Sequence, residues 1–244
     1  MMKTNKSHEL SKRLAAICEM VPEGSSVLDV GCDHAFVPIE LILSERAVHA
    51  IAMDVADGPL KSAAANIRAY GLEGIIEVRK SDGLENYEIG EADTLIISGM
   101  GGLLIGSILS KFQDKTSSFV RLILEPQREF GAVRKCLRGL CLEITDEQMI
   151  EEDGKFYPVI CAKPVEDQAV TPYGPGLPQR MCDEYGPVLL DKKDRVLRRY
   201  LLRQKEIYNG ILTSLKCTER KNSRIPEIKA GIEDIESAIT YIDS

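Results

Sequence analysis

Four places in this sequence join an apolar run to small or acidic residues, and each offers chemistry. The first reads Asp29-Val30-Gly31-Cys32-Asp33-His34. Gly31 permits a tight turn and lets a ligand approach the backbone. Asp33 beside His34 is suited to handling a proton or orienting a reacting group. At the second, Asp54 follows a run ending in Met53, and a carboxylate there can hydrogen-bond a ribose diol. Asp82-Gly83 is the third, where carboxylate or backbone groups can meet the edge of a base. The fourth is Ser98-Gly99-Met100-Gly101-Gly102. Its glycines leave a space in which a flat base could pack against backbone. Each has an ordinary structural account as well. Gly31 could be a turn glycine, Asp54 a helix N-cap and Asp82-Gly83 a plain turn. His34 could simply cap its loop. A strand-to-helix turn explains one or two glycines but poorly explains three. Their joint occurrence at the ends of consecutive strands favours a ligand site.

These residues need elements that bring them together. Short apolar runs predict buried strands over 26–30, 48–53, 75–80, 94–98 and 120–124. Helical spacing predicts helices over 7–20, 37–45, 60–70, from the glycines to about 109, and over 130–140. Gly71 stops the third of these. Two further strands, 142–150 and 155–162, flank an Asp153-Gly154 turn and should close the sheet antiparallel. Strands alternating with helices give an α/β, doubly wound, Rossmann-like sheet. In such sheets ligands bind beyond the carboxyl ends of the strands, where the strand order reverses. The Asp29-x-Gly31-x-Asp33 pattern lacks the G-x-G-x-x-G fingerprint of pyrophosphate cofactors. It therefore points to S-adenosyl-L-methionine, which has no phosphate to cradle. The expected cofactor residues are Asp29, Gly31 and Cys32 on the first strand end, Asp54 and Val55 on the second, Asp82 and Gly83 on the third, and Ser98 and Gly99 on the fourth.

The chain has 244 residues with 44% hydrophobic and 28% charged, enough for one α/β domain and a smaller appendage. Its net charge of −7 argues against a nucleic-acid binder that is basic throughout. The charge is uneven, however: 191–229 carries 12 basic and 5 acidic residues. This asymmetry suits a polyanion partner for the tail, or simply a solvated helix face. The 7 cysteines form no C-x-x-C pair, and the 3 histidines have no ligand spacing. That argues against a zinc site or disulfide framework and fits a reducing cytoplasm. The apolar stretch 94–109 contains four glycines and is too short for a membrane span.

Composition changes after Lys163. Residues 1–165 read as the Rossmann-like domain and 166–180, rich in proline, as a linker. Residues 181–244 read as helices. Ile228, Ile232, Ile235, Ile239 and Ile242 form a heptad-like stripe, so this part is expected to fold as an antiparallel coiled-coil hairpin.

Taken together, Leu10-Ser11-x-Arg13-Leu14, the Asp29–His34 run, Gly58-Pro59, Asp82-Gly83-Leu84, the Gly99–Gly102 run and Tyr157 resemble the bacterial tRNA (adenine-22-N1)-methyltransferases. The likeness spans about residues 7–163 and extends to the C-terminal helices. Three positions depart from the usual family pattern: Cys32 stands for Ser, Asp54 for Glu, and Glu125-Pro126-Gln127 for Gln-Pro-Asn. The resemblance implies a class I methyltransferase that methylates N1 of an adenine in the D-arm of tRNA. Asp33 and His34 are then the catalytic candidates, the former stabilising charge on the base and the latter orienting it. Met100, Gly101, Gly102, Gln127 and Tyr157 are the substrate-binding candidates, and Tyr173 is a further stacking candidate. The expected partner is tRNA, with no metal and no membrane, and the expected state is a monomer or weak dimer. The competing expectations are a methyltransferase of the same fold acting on another substrate, and a non-catalytic adenosylmethionine-binding regulator.

Overall fold

A computed structural model describes residues 10–165, 177–216 and 224–244 of the chain. The expected helix start at 7–9 and Tyr173 lie outside the described residues. Seven strands form one sheet in the order β3-β2-β1-β4-β5-β7-β6. They are β1 (Ser25–Val30), β2 (Ala47–Asp54), β3 (Ile76–Lys80), β4 (Thr94–Gly101), β5 (Arg121–Arg128), β6 (Leu142–Glu152) and β7 (Lys155–Pro164). β1 to β5 pair parallel, whereas β7 runs antiparallel to both β5 and β6. The β6–β7 turn puts Asp153 and Gly154 at φ 48° and 69°, the paired positive values of a two-residue hairpin turn.

The apolar strands are buried on both faces because alternate side chains face opposite helical layers. Val27, Ile96 and Ile123 pack with α1 (Lys12–Glu19) and α2 (Phe36–Leu43). Ala50 and Ala52 pack on the same side against α3 (Asp57–Tyr70). Leu28, Val30, Leu95, Ile97 and Leu124 face α4 (Gly102–Lys111) and, past the short α5 (Gln113–Thr116), α6 (Phe130–Gly139). Ser11 caps α1 by accepting from the Leu14 amide, and α3 ends at Gly71 in the left-handed region.

One boundary differs in a way that matters for the site. The sequence predicts that the fourth strand stops at 98. Instead β4 continues to Gly101, pairing with β5 through register shifts between Ser98 and Met100 and between Met100 and Gly101. Glycine tolerates these bulges, so the glycine run belongs to the strand rather than to a loop. Gly102 then opens α4 where only hydrogen fits: a Cβ there would lie 2.4 Å from the Glu129 carbonyl oxygen.

Two short helices, α7 (Gln179–Tyr185) and α8 (Pro187–Asp191), precede α9 (Arg195–Lys216) and α10 (Ile225–Asp243). α9 and α10 run antiparallel, since Arg198 pairs with Asp243 and Lys205 with Glu236. Of the isoleucine stripe, Ile228, Ile235 and Ile242 are buried, together with Ala238. The connection between these helices lies outside the described residues. Much of the basic charge on α9 is used internally. Arg199 pairs with Glu151 on β6 and Lys205 with Glu236 on α10, whereas Arg203 gives a hydrogen bond to the Gly154 carbonyl. Exposed pairs of this kind contribute about 1 kcal/mol or less, so they can exchange their partners.

Candidate active site

The strand order reverses between β1 and β4, and a cleft of about 340 Å³ opens at their carboxyl ends. Asp29, Gly31, Cys32, Asp33 and His34 line it from β1 and the loop beyond. Asp54 enters from β2, Ser98, Gly99 and Met100 from β4, and Gln127 from β5. Ten of the residues singled out by sequence therefore share one cavity.

The β1 end is built by backbone geometry. The amides of Gly31 and Cys32 both donate to the Met53 carbonyl, at 2.8 and 3.0 Å. Gly31 has φ +79°, and a Cβ there would sit 2.2 Å from the Met100 methyl. Left-handed backbone at Asp33 (φ 46°) and Ala35 (φ 57°) then turns the chain twice, a strained conformation for residues with side chains. Asp33 and His34 are thereby turned outward, with side chains 70% and 47% exposed. Their closest polar atoms are 3.6 Å apart, too far for a direct hydrogen bond. The His34 ring stacks on Phe36, and Asn66 holds the His34 carbonyl at 3.0 Å.

Asp29 is buried, and its Oδ1 has no hydrogen-bond partner among the described residues. Burial, and secondarily the Asp54 carboxylate, pushes its carboxyl up to about 7. A buried carboxylate oxygen without a donor is costly unless something outside the protein supplies one. Asp54 has its Oδ1 occupied by the Ala56 amide at 2.9 Å. The Cys32 thiol is raised well above its usual range by burial and by the Asp29 and Asp54 charges, so it is a protonated packing group rather than a nucleophile.

Beneath the cleft lies an ion pair that sequence reasoning missed. Arg13 of α1, which lines the cavity, donates from Nη1 to Glu125 Oε2 at 2.8 Å. The same oxygen accepts from the Gly99 amide at 2.8 Å. Glu125 is fully buried, and its Oε1 has no hydrogen-bond partner among the described residues. Burial raises its pKa while Arg13 opposes the rise. The pair thus pins the glycine segment of β4 to α1. Leu14, from the same N-terminal motif as Arg13, also lines the cavity, as do Phe36 and Val37, which were not singled out.

The remaining sequence candidates lie elsewhere. Asp82 is 64% exposed and pairs with Lys111 at 3.0 Å, while Gly83 packs against Ile108 and Phe112. Val55 follows Asp54 but is exposed, outside the cleft lining. Gly101 and Gly102 face Arg128 and Glu129 instead of the cavity. Tyr157 stands behind Arg13, whose guanidinium lies 5.4 Å from the ring centre. Among the described residues, no cluster of three or more His, Cys, Asp or Glu could hold a metal ion. No helix among them is long and apolar enough to cross a membrane.

Comparison with known proteins agrees with this geometry. Residues 10–160 match a family model described as a methyltransferase domain. The chain is 35% identical to the tRNA (adenine(22)-N(1))-methyltransferase of Bacillus subtilis (strain 168), over 96% of this chain and 98% of that one. The crystal structure of the B. subtilis M1A22 tRNA methyltransferase TrmK superposes with a TM-score of 0.85 at 33% identity, covering 95% of this chain and 99% of that one. A Streptococcus pneumoniae putative tRNA (m1A22) methyltransferase, solved in complex with S-adenosyl-L-methionine, superposes with a TM-score of 0.80 at 30% identity, covering 94% and 99%. A cleft at the β1–β4 reversal and full-length likeness to these proteins lead to one conclusion: the chain belongs to the tRNA (adenine(22)-N(1))-methyltransferase family.

Proposed function

We propose that this protein transfers the methyl group of S-adenosyl-L-methionine to N1 of adenine 22 in tRNA. The observation that carries this is the unpartnered Asp29 Oδ1 in the cleft at the strand-order reversal, in a chain 35% identical to a B. subtilis enzyme of that name. The site suits the cofactor. Asp29 offers a buried carboxylate to an ammonium group, Asp54 offers its second oxygen to a ribose diol, and Gly31 leaves room for close approach. Val55, Asp82 and Gly83, which follow β2 and β3 outside the cleft lining, complete the proposed cofactor set. Residues 1–165 act as the methyltransferase domain, 166–180 as a linker and 181–244 as the tRNA-binding helical part. The protein works in the cytoplasm as a monomer or weak dimer.

Bound adenosylmethionine supplies an electrophilic sulfonium methyl. N1 lies on the Watson–Crick edge of adenine, so the target base must be unpaired or flipped into the cleft. Met100, Gln127 and the glycine segment of β4 hold it there, with Arg13 and Tyr157 supporting from behind. Positioning of nucleophile and methyl in line provides most of the rate gain. Methylated N1 carries positive charge, and Asp33 stabilises that charge as it develops. His34, stacked on Phe36, orients the base.

Incubation with labelled adenosylmethionine and unmodified tRNA should yield 1-methyladenosine, identified by nucleoside mass spectrometry. Cofactor binding without RNA methylation would refute the assignment in favour of another substrate or a regulatory role. Asp33→Ala should lower kcat by about 10- to 100-fold, with adenosylmethionine affinity unchanged, because a solvent-exposed carboxylate is partly screened until the base covers it. An equal fall in cofactor affinity would refute that role. Binding to tRNA should weaken steeply with salt as phosphate counterions are released; a flat salt dependence would remove α9 from the interface.

A further inference from the structure

A second, larger cavity of about 620 Å³ adjoins the methyl-transfer cleft. Gln127 lines both. Its floor is the segment from the end of β5 into α6 together with the β6–β7 turn; its far wall is formed by α7, α9 and α10. A volume of several hundred Å³ is that of a ligand site rather than of a packing defect.

The chemistry of its walls is specific. Phe130 and Phe156 sit half-buried against Tyr200, with ring centres 6.1 and 5.5 Å away. They form an aromatic wall of which the protein itself covers only part. The acids in the cavity are already matched: Glu129 by Arg128, Glu184 by Lys135 and Asp234 by Arg180. Arg203 is different. It is exposed, lies 6.0 Å from the Phe156 ring centre and donates to the Gly154 carbonyl. No carboxylate pairs with it among the described residues. An aromatic wall beside an uncompensated guanidinium matches the two faces of a nucleotide, a flat base and an anionic phosphate.

We propose that this groove seats an unpaired nucleotide of the substrate tRNA beside the target adenine. Its base stacks on the Phe156–Tyr200 wall and its phosphate meets Arg203. The proposal rests on tRNA being the substrate. It adds where the strand runs: along the floor from Gln127 to the β6–β7 turn, with α9 as the opposite bank. The helical part is then more than a basic handle, because it completes a pocket that neither part has alone. A base can enter only if it is unstacked, so the groove selects tRNA whose D-arm has been opened.

The test combines two variants with a direct probe of contact. Arg203→Glu changes an exposed side chain, and Phe156→Leu keeps an apolar group at the start of β7. Each should raise KM for tRNA about tenfold with adenosylmethionine affinity as in the wild type; Arg203→Glu should keep the wild-type melting temperature, and Phe156→Leu, which loses an edge contact with Tyr200, should lower it by only about a few degrees. Ultraviolet cross-linking of wild-type protein to unmodified tRNA, mapped by peptide mass spectrometry, should place nucleotides on peptides containing Phe156 or Tyr200. Wild-type KM in both variants, or cross-links confined to other surfaces, would overturn the proposal. Cross-links in the groove without any 1-methyladenosine would uphold the groove and refute the assigned methylation. Methylation without groove cross-links would do the reverse.

Discussion

Asp29→Asn should weaken adenosylmethionine binding by about 100-fold or more while leaving the free protein at least as stable as the wild type. The side chain is buried with Oδ1 unpartnered. Its carboxyl is raised to about 7 by burial and by Asp54. Removing one member of a buried, hydrogen-bonded charge pair typically costs about 2–5 kcal/mol of binding, and Asn keeps the shape while losing the charge. Stability should move the other way. A carboxyl raised in the folded state binds more protons than its unfolded counterpart between about pH 4 and 7. Its contribution to stability is therefore present at low pH and falls away as pH rises through that window. Asn at position 29 removes that part of the slope. Calorimetric melting of the free protein from pH 5 to 8 should show a shallower decline for the variant. Cofactor affinity in the wild type should rise with pH up to about 7 and then level off, because the ammonium needs the ionised carboxylate. A variant that binds cofactor normally, or a wild-type affinity independent of pH, would show that Asp29 faces something other than the cofactor.

Asp29 was legible in the sequence because it belongs to a local pattern, an apolar run ending in acid and glycine. The same logic found the end of β2, and it placed the Asp153-Gly154 turn. Local pattern could not reveal that the glycines at 99 and 101 lie within a strand. Their bulges exist because β5 continues through Pro126 to Arg128 and offers partners. Without that neighbour, a glycine run reads as a turn. The short helices α5, α7 and α8 are too brief to show a period. Arg13 and Glu125 were missed as a pair for a related reason. They stand 112 residues apart, and only the sheet topology brings the N-terminal helix over the end of β5. An arginine among Leu10, Leu14 and Ile17 was the available signal: a cation on an apolar helix face needs a partner. Asp82-Gly83 illustrates what local pattern leaves undetermined, namely the direction of the side chain. The motif occurs at a strand end as expected, yet its carboxylate is turned to Lys111, outside the cleft lining.

Arg134→Met should destabilise the protein by about 3–5 kcal/mol, since it leaves one charge of a buried pair without its partner. For a chain of this size that corresponds to a fall in melting temperature on the order of 10 °C. Both Arg134 and Glu147 have fully buried side chains, joined Nε to Oε1 at 2.7 Å. Arg134 Nη1 also donates to the carbonyls of Asp183 and Glu184, each at 3.0 Å. Glu147 Oε2 accepts from the amides of Val188 and Leu189. One ion pair thus ties α6 and β6 to the end of α7 and the start of α8. Gly186 lets the chain pass close: a Cβ there would fall 2.7 Å from Glu147 Oε2. The adenosylmethionine cleft is lined without any of these residues, so the two functions should separate. On warming or mild urea, Arg134→Met should lose tRNA methylation before it loses cofactor binding, because the helical part comes free first. Adding Glu147→Leu should recover part of the stability by removing the stranded charge. Recovery should be incomplete, because the Val188 and Leu189 amides then lack their acceptor. A single variant as stable as the wild type would show that the pair does not hold the helices in place. Simultaneous loss of cofactor and tRNA binding would show that the helices and the sheet unfold as one unit.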